Sequence, residues 1–227
     1  MTVVVGDTAL DMDGGSQSDG FWFDGSKHKV WHHSGGDVTL AQALSTVGVE
    51  ATAETLTYDG TTYEESTDGT GLYYRVNGEP VNPTEYTLKD GDEVWATVET
   101  AEMNRDTPGD HIDHDYSHIH GNIDFVVNGH EIDFSKSKYQ TASHSRYFHF
   151  EGGHADPWHA HSYSITLEYA MSTLDGISVS ENSVTYEDQT YTDDDGVSVT
   201  VNGNEVAPSG YYLKDGDHVE IVVESDE

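Results

Sequence analysis

Asn77-Gly78-Glu79-Pro80-Val81-Asn82-Pro83, running on through Tyr86-Thr87-Leu88-Lys89-Asp90-Gly91-Asp92-Glu93-Val94, returns later in the chain. The second version is Asn202-Gly203-Asn204-Glu205-Val206-Ala207-Pro208, running on through Tyr211-Tyr212-Leu213-Lys214-Asp215-Gly216-Asp217-His218-Val219. The register between the two is ungapped. Upstream, Phe21-Trp22-Phe23-Asp24-Gly25 through Val38-Thr39-Leu40 matches Phe148-His149-Phe150-Glu151-Gly152 through Ile165-Thr166-Leu167, again without a gap, so that Trp31-His32 falls on Trp158-His159. Self-similarity over such a span reads as a tandem duplication. The boundary falls at Glu102-Met103-Asn104-Arg105-Asp106-Thr107-Pro108-Gly109-Asp110, which has turn chemistry and no apolar periodicity. Residues 1–103 are then the first copy and 104–227 the second, each of ordinary domain size.

Asn-Gly at 77–78, 128–129 and 202–203, each flanked by Val-rich alternation, predicts two-residue hairpin turns, because both turn positions need positive φ. Each copy has one helical segment, Thr39 to Thr46 and Thr166 to Thr173. Their apolar residues recur at helical spacing, and a threonine is placed to cap the first turn.

A hairpin, a crossover helix, then strands closing on Leu-Lys-Asp-Gly-Asp and a Val-rich last strand resembles the β-grasp (ubiquitin-like) order. The expected fold class is therefore α+β, a tandem duplication of a β-grasp-like domain with a mixed sheet packed on one helix per copy. The likeness is to the fold alone. Sulfur carriers of that fold act through a terminal Gly-Gly and its ferredoxins through cysteines, whereas this chain ends Val223-Glu224-Ser225-Asp226-Glu227 and has no cysteine; neither activity is expected.

Composition narrows the partners. Nine Lys+Arg against 43 Asp+Glu leave a net charge of -34, which repels nucleic acid and anionic membranes. Molar salt shortens the screening length to about 3 Å, so the composition reads as that of an extreme halophile. With no cysteine, disulfides, thiolate zinc sites and iron–sulfur clusters are excluded, and any metal must sit on His, Asp or Glu. No stretch approaches the roughly 18 to 20 apolar residues of a membrane span, and Met1-Thr2-Val3-Val4-Val5-Gly6 lacks the features of a secretory leader. Membrane insertion is not expected.

The 14 histidines are unevenly placed, with ten between His111 and His161. The first-copy positions aligned with His149, His154, His159 and His161 are Trp22, Lys27, His32 and Ser34, so the scaffold does not require imidazoles there. In His118-Ile119-His120-Gly121-Asn122-Ile123, alternation puts the apolar residues on one face and His118 and His120 on the other, about 6.6 Å apart at the backbone. His159 and His161 form a second such pair if Trp158 to His161 is extended. Phe148 and Phe150 are expected to point inward and His149 outward, onto the open face of the second sheet. Glu151 or Asp156 could complete a site. His111 and His114 read as part of a polar tract in the linker, and His28, His32, His33, His130, His154 and His218 as structural or solvated.

Residues 116 to 224 resemble uncharacterised, mostly secreted His-rich domains of bacteria and archaea. Those domains show a HIHxHL start, a VNG hairpin, a His-Thr-His stretch before IHIE, a TLGQFF-like helix start and an LKDGDEI-like turn. The residues that carry the likeness are His118-Ile119-His120, Val127-Asn128-Gly129, Phe148-His149-Phe150-Glu151, Thr166-Leu167, Val201-Asn202-Gly203 and Leu213-Lys214-Asp215-Gly216-Asp217. The resemblance implies ligands at His118, His120 and His149 and a location outside the cell or at its surface. It departs at Asn122, where the third histidine of the start motif would stand, and in the His-Thr-His stretch, reduced to His144. His159 and His161 could make up the shortfall.

The expected ligand set is thus His118, His120, His144, His149, His159 and His161. Imidazoles with an optional carboxylate suit zinc or copper(II), with nickel and iron also compatible, and disfavour magnesium and calcium. No nucleophile elbow, HExxH helix, P-loop or dinucleotide fingerprint occurs. The leading expectation is a protein that holds or buffers a transition metal. The alternatives are a metal-dependent hydrolase or oxygen-activating enzyme built on the same histidines, and a tandem interaction module in which they are incidental.

Overall fold

The computed structural model describes residues 1–12, 15–16, 20–23, 30–140 and 145–225. The chain divides into two compact units, Met1–Met103 and Asn104–Glu227. Both are mostly β-sheet, with mixed pairing and, among the described residues, one short α-helix each.

In the first unit β1 (Thr2–Val5) and β2 (Thr8–Ala9) form a hairpin, followed by β3 (Gly15–Ser16), β4 (Phe21–Phe23), β5 (Trp31–His33) and helix α1 (Leu40–Ser45). Then come β6 (Val49–Ala51), β7 (Thr55–Tyr58), β8 (Thr61–Glu64), β9 (Gly71–Val76), β10 (Glu79–Pro80) and β11 (Val94–Glu99). The main sheet runs β10-β9-β11-β1-β2, with first and last strands parallel at its centre. Thr39 caps α1 through a reciprocal capping box with Gln42, which satisfies donors that a helix start would otherwise leave orphaned. Leu40, Ala43 and Leu44 of α1 join a core that includes Val3, Phe21, Leu56, Val76, Val94 and Val98.

The second unit has β12 (Ile119–Val127), β13 (His130–Glu131), β14 (Phe148–His149), β15 (Trp158–Ala160) and helix α2 (Leu167–Ser172). It continues through β16 (Ile177–Val179), β17 (Ser183–Tyr186), β18 (Gln189–Thr192), β19 (Val197–Val201), β20 (Asn204–Glu205) and β21 (Asp217–Val223). Its sheet runs β14-β15-β12-β21-β19-β20, with β13 also on β12 and β12 parallel to β21. Phe134, Phe148, Phe150 and Trp158 are fully buried, Phe134 stacking on Phe150 at 4.6 Å and Phe148 lying 5.7 Å from Trp158.

The three Asn-Gly pairs turn as expected, with φ of 52°, 51° and 52° at Asn77, Asn128 and Asn202 and each following glycine also positive. The repeated Leu-Lys-Asp-Gly-Asp segment has the same structural task in each unit. Asp92 accepts from Asn77 Nδ2 (3.1 Å), Tyr86 OH (3.0 Å) and the Lys89 backbone N–H (2.8 Å). Asp217 accepts from Asn202 Nδ2, Tyr211 OH and the Lys214 N–H, each at 2.9 Å. A buried carboxylate survives desolvation only when donors satisfy its oxygens, which accounts for Asn, Tyr and Asp recurring together.

Candidate metal centre

Strand pairing decides which imidazoles meet. β15 lies between β12 and β14, and its His159 is directly opposite both His120 and His149. Two residues further, His161 faces His118, their rings stacked at 4.1 Å. The two His-x-His pairs therefore confront each other across adjacent antiparallel strands. The His118 and His120 rings are 4.4 Å apart, His120 and His159 4.8 Å, and His149 and His161 5.0 Å.

Gly121 makes the β12–β15 approach feasible. A Cβ at that position would collide with the Asp217 carbonyl and the indole of Trp158, whose Nε1 donates to the Asn122 carbonyl at 3.1 Å. The closing turn then clamps the His120 backbone from both sides: His120 N–H donates to Asp215 at 3.0 Å, and Gly216 N–H donates to the His120 carbonyl at 2.7 Å.

The expected open face is open only in part, with the His120 side chain 35% exposed. Residues 109 to 112 run antiparallel beside 161 to 164, with Ile112 N–H donating to the His161 carbonyl at 3.0 Å and Gly109 N–H to that of Ser164 at 2.9 Å. His149, His159 and His161 are 6%, 8% and 2% exposed, so the outward, solvated position expected for His149 is corrected to a buried one. Alternation fixed the face of His149 relative to its phenylalanine neighbours, but not what covers that face. The same segment corrects the reading of His114 as linker: its ring is 5.1 Å from His161 and 5.5 Å from His118. His111 lies 6.1 Å from His161 and places its Nε2 3.3 Å from the Arg146 carbonyl.

Among the described residues, two groups of imidazoles have nitrogens close enough to share an ion: His118, His120 and His159; and His114, His118 and His161. The tightest approach is His118 Nε2 to His159 Nδ1, 3.1 Å. Two nitrogens bound tetrahedrally to one ion at about 2.0 to 2.1 Å stand about 3.3 Å apart, so this is ligand spacing. Tautomers are set from outside the cluster. His118 Nδ1 is 2.9 Å from the Tyr116 carbonyl and His161 Nδ1 is 3.3 Å from that of Ile112. A carbonyl only accepts, so each Nδ1 carries the proton and each Nε2 a lone pair. His161 Nε2 is buried without a hydrogen-bond partner, an orphan that an ion would satisfy.

Burial favours the neutral form of His149, His159 and His161, the form that binds metal. It pushes His161 down to about 3, aided by His118 and His149. His159 falls to about 4, again mainly by burial, with Glu151 opposing. His149 is lowered for the same leading reason. Glu151 faces the Nε2 atoms of His114 and His159 at 3.6 Å and of His149 at 3.8 Å. Its loop turns through Gly152 and Gly153, both at positive φ. Buried Gln140 staples that loop, accepting from Gly153 N–H and donating to the His154 and Phe134 carbonyls.

No known protein family, curated protein or solved structure matches this chain.

Of the six expected ligands, five sit in this cluster. The sixth, His144, lies outside the described residues, as does His28. Asp156 is occupied otherwise, accepting from the Ile123 N–H at 3.3 Å. His218 bonds Asp124 on an exposed strand surface. In the first unit Trp22 and His32 stack at 5.3 Å on paired strands, in the positions that His149 and His159 hold by sequence alignment. His114 carried no periodic signal and could be found only once residues 109 to 112 were seen to pair with 161 to 164.

Proposed function

We propose that the second unit binds a transition metal, zinc or copper(II) fitting best, and that the protein holds or buffers that metal. The observation that carries this reading is the 3.1 Å approach of His118 Nε2 to His159 Nδ1 within a triad completed by His120. All-imidazole donors are borderline ligands that suit zinc, copper(II), nickel and iron over magnesium and calcium. The hydrolytic alternative draws support only from Glu151, a carboxylate beside three imidazoles that could act as a base.

In the same reading each unit is a β-grasp-like copy of an ancestral domain. Support comes from the parallel pairing of first and last strands in both, the threonine-capped helices and the matching Asp92 and Asp217 networks. The net charge of -34 supports life in molar salt, and the resemblance to secreted His-rich domains supports action outside the cell or at its surface.

The test is metal analysis of tag-free protein in molar salt, alongside a His118→Ala, His120→Ala variant. The wild type should carry near-stoichiometric zinc or copper and the variant none, with the circular dichroism spectrum unchanged. A wild type that takes up no metal from either salt would overturn the reading and leave an acidic interaction scaffold.

A further inference from the structure

The two triads share one residue, and that residue has one donor to give. His118 Nδ1 is held by the Tyr116 carbonyl at 2.9 Å, so only Nε2 can face an ion. Nε2 cannot serve two ions at once. His120, His159 and His161 do not form a wider group with His118 that would close around one central point; the geometry separates His118/His120/His159 from His114/His118/His161. We infer that these are alternative seats for a single ion, between which it passes by ligand exchange while remaining on His118. This inference rests on the metal-binding reading above and deepens it.

The seats differ in kind. The strand seat is built from β12 and β15, with His120 clamped by Asp215 and Gly216 and His159 buried. The loop seat joins buried His161, whose Nε2 has no other partner, to His114, whose side chain is 61% exposed. His114 is thus the ligand an incoming or departing chelator meets first. An ion that moves from strand seat to loop seat exchanges two imidazoles for two others and never sheds its third. That lowers the barrier relative to full dissociation and fits a protein that surrenders its metal to an acceptor over one that locks it away.

The test uses the full chain in molar potassium chloride, titrated with cobalt(II), whose visible absorption reports its ligands. His114→Ala removes only the loop seat, His120→Ala only the strand seat, and His118→Ala both. The wild type should bind one cobalt per chain, and each single-seat variant should also bind one. The wild-type spectrum should be a weighted sum of those two variants' spectra. His118→Ala should lose at least 100-fold in affinity. Transfer of zinc to a competing chelator should slow at least tenfold in His114→Ala.

Two cobalt ions per wild-type chain would overturn the inference in favour of independent sites. Loss of binding in both His114→Ala and His120→Ala, with circular dichroism unchanged, would overturn it in favour of one composite site. Full binding by His118→Ala would also refute it. No binding by the wild type would instead defeat the metal reading beneath it.

Discussion

His159 Nδ1 lies 3.1 Å from His118 Nε2, across two antiparallel strands whose register places His159 directly opposite His120 and His149. Since His118 Nε2 is a lone pair, His159 donates its Nδ1 proton in the metal-free protein. A bound ion would need both lone pairs, and His159 would then carry its proton on Nε2, which faces Glu151 Oε1 at 3.6 Å. Glu151 is placed to stabilise that switch.

Replacing Glu151 by Gln should therefore weaken zinc binding by roughly 10- to 100-fold without changing the number of ions bound. Competition with a zinc chelator at fixed salt measures this. An unchanged affinity would remove Glu151 from the site.

Acid should destabilise the metal-free fold through its buried histidines. His161 is lowered to about 3 and His159 to about 4 from an ordinary 6.5, so the unfolded chain binds the proton first as pH falls. Their stabilisation is complete above about 6.5 and is lost between there and about 3 to 4. Each histidine can contribute up to about 1.4 kcal/mol per pH unit in that window. Urea midpoints at pH 7.5 and 5 should fall with acidification in the wild type, and the slope should flatten in a His159→Gln, His161→Gln variant.

Gly121→Ala should destabilise the second unit by about 1 to 3 kcal/mol or more, the range for an overpacked core, because the added Cβ meets the Trp158 ring and the Asp217 carbonyl. Near-ultraviolet circular dichroism should report displacement of Trp158. Cobalt affinity should fall as well, since β12 and β15 carry His120 and His159 and His118 immediately precedes β12. A variant as stable as the wild type would mean that β12 and β15 do not approach so closely.

Asp217→Asn should cost at least about 2 kcal/mol, within the range for hydrogen bonds to a charged acceptor, because the amide NH2 replaces one of the two accepting oxygens and so meets either the Asn202 Nδ2 donor or the Tyr211 OH and Lys214 N–H donors. Asp92→Asn should have a similar effect in the first unit. Thermal denaturation followed by fluorescence distinguishes them, and a neutral effect at either position would remove the structural account of the repeated motif.

With a net charge of -34, raising potassium chloride from 0.1 to 2 M should raise the unfolding midpoint, as screening relieves self-repulsion. A midpoint insensitive to salt, or falling with it, would count against a halophilic design.

Much of this was legible before any coordinates. The Asn-Gly turns, the two threonine-capped helices and the shared face of His118 and His120 follow from local rules: φ > 0 at a two-residue turn, helical spacing, and alternation along a strand. The alignment of His149 with Trp22 and of His161 with Ser34 pointed to imidazoles in the second unit that the first unit does not have at the matching positions. His149 was read as exposed because alternation reports which side of a strand a residue takes, not what covers that side. His114 was missed because a ligand on an irregular segment leaves no period to detect.

The sequence by itself determined the repeat, the turns, the caps and which histidines could share a face, since each depends on residues near one another along the chain. Only the tertiary structure decided that β15 lies between β12 and β14, that residues 109 to 112 pair alongside 161 to 164, and that His114 completes the second triad. The β12–β15 pairing joins His120 to His159 and the outer pairing joins His111 to Ser162, residues far apart along the chain, and both depend on packing around Trp158 and on the close approach at Gly121, which no local pattern encodes.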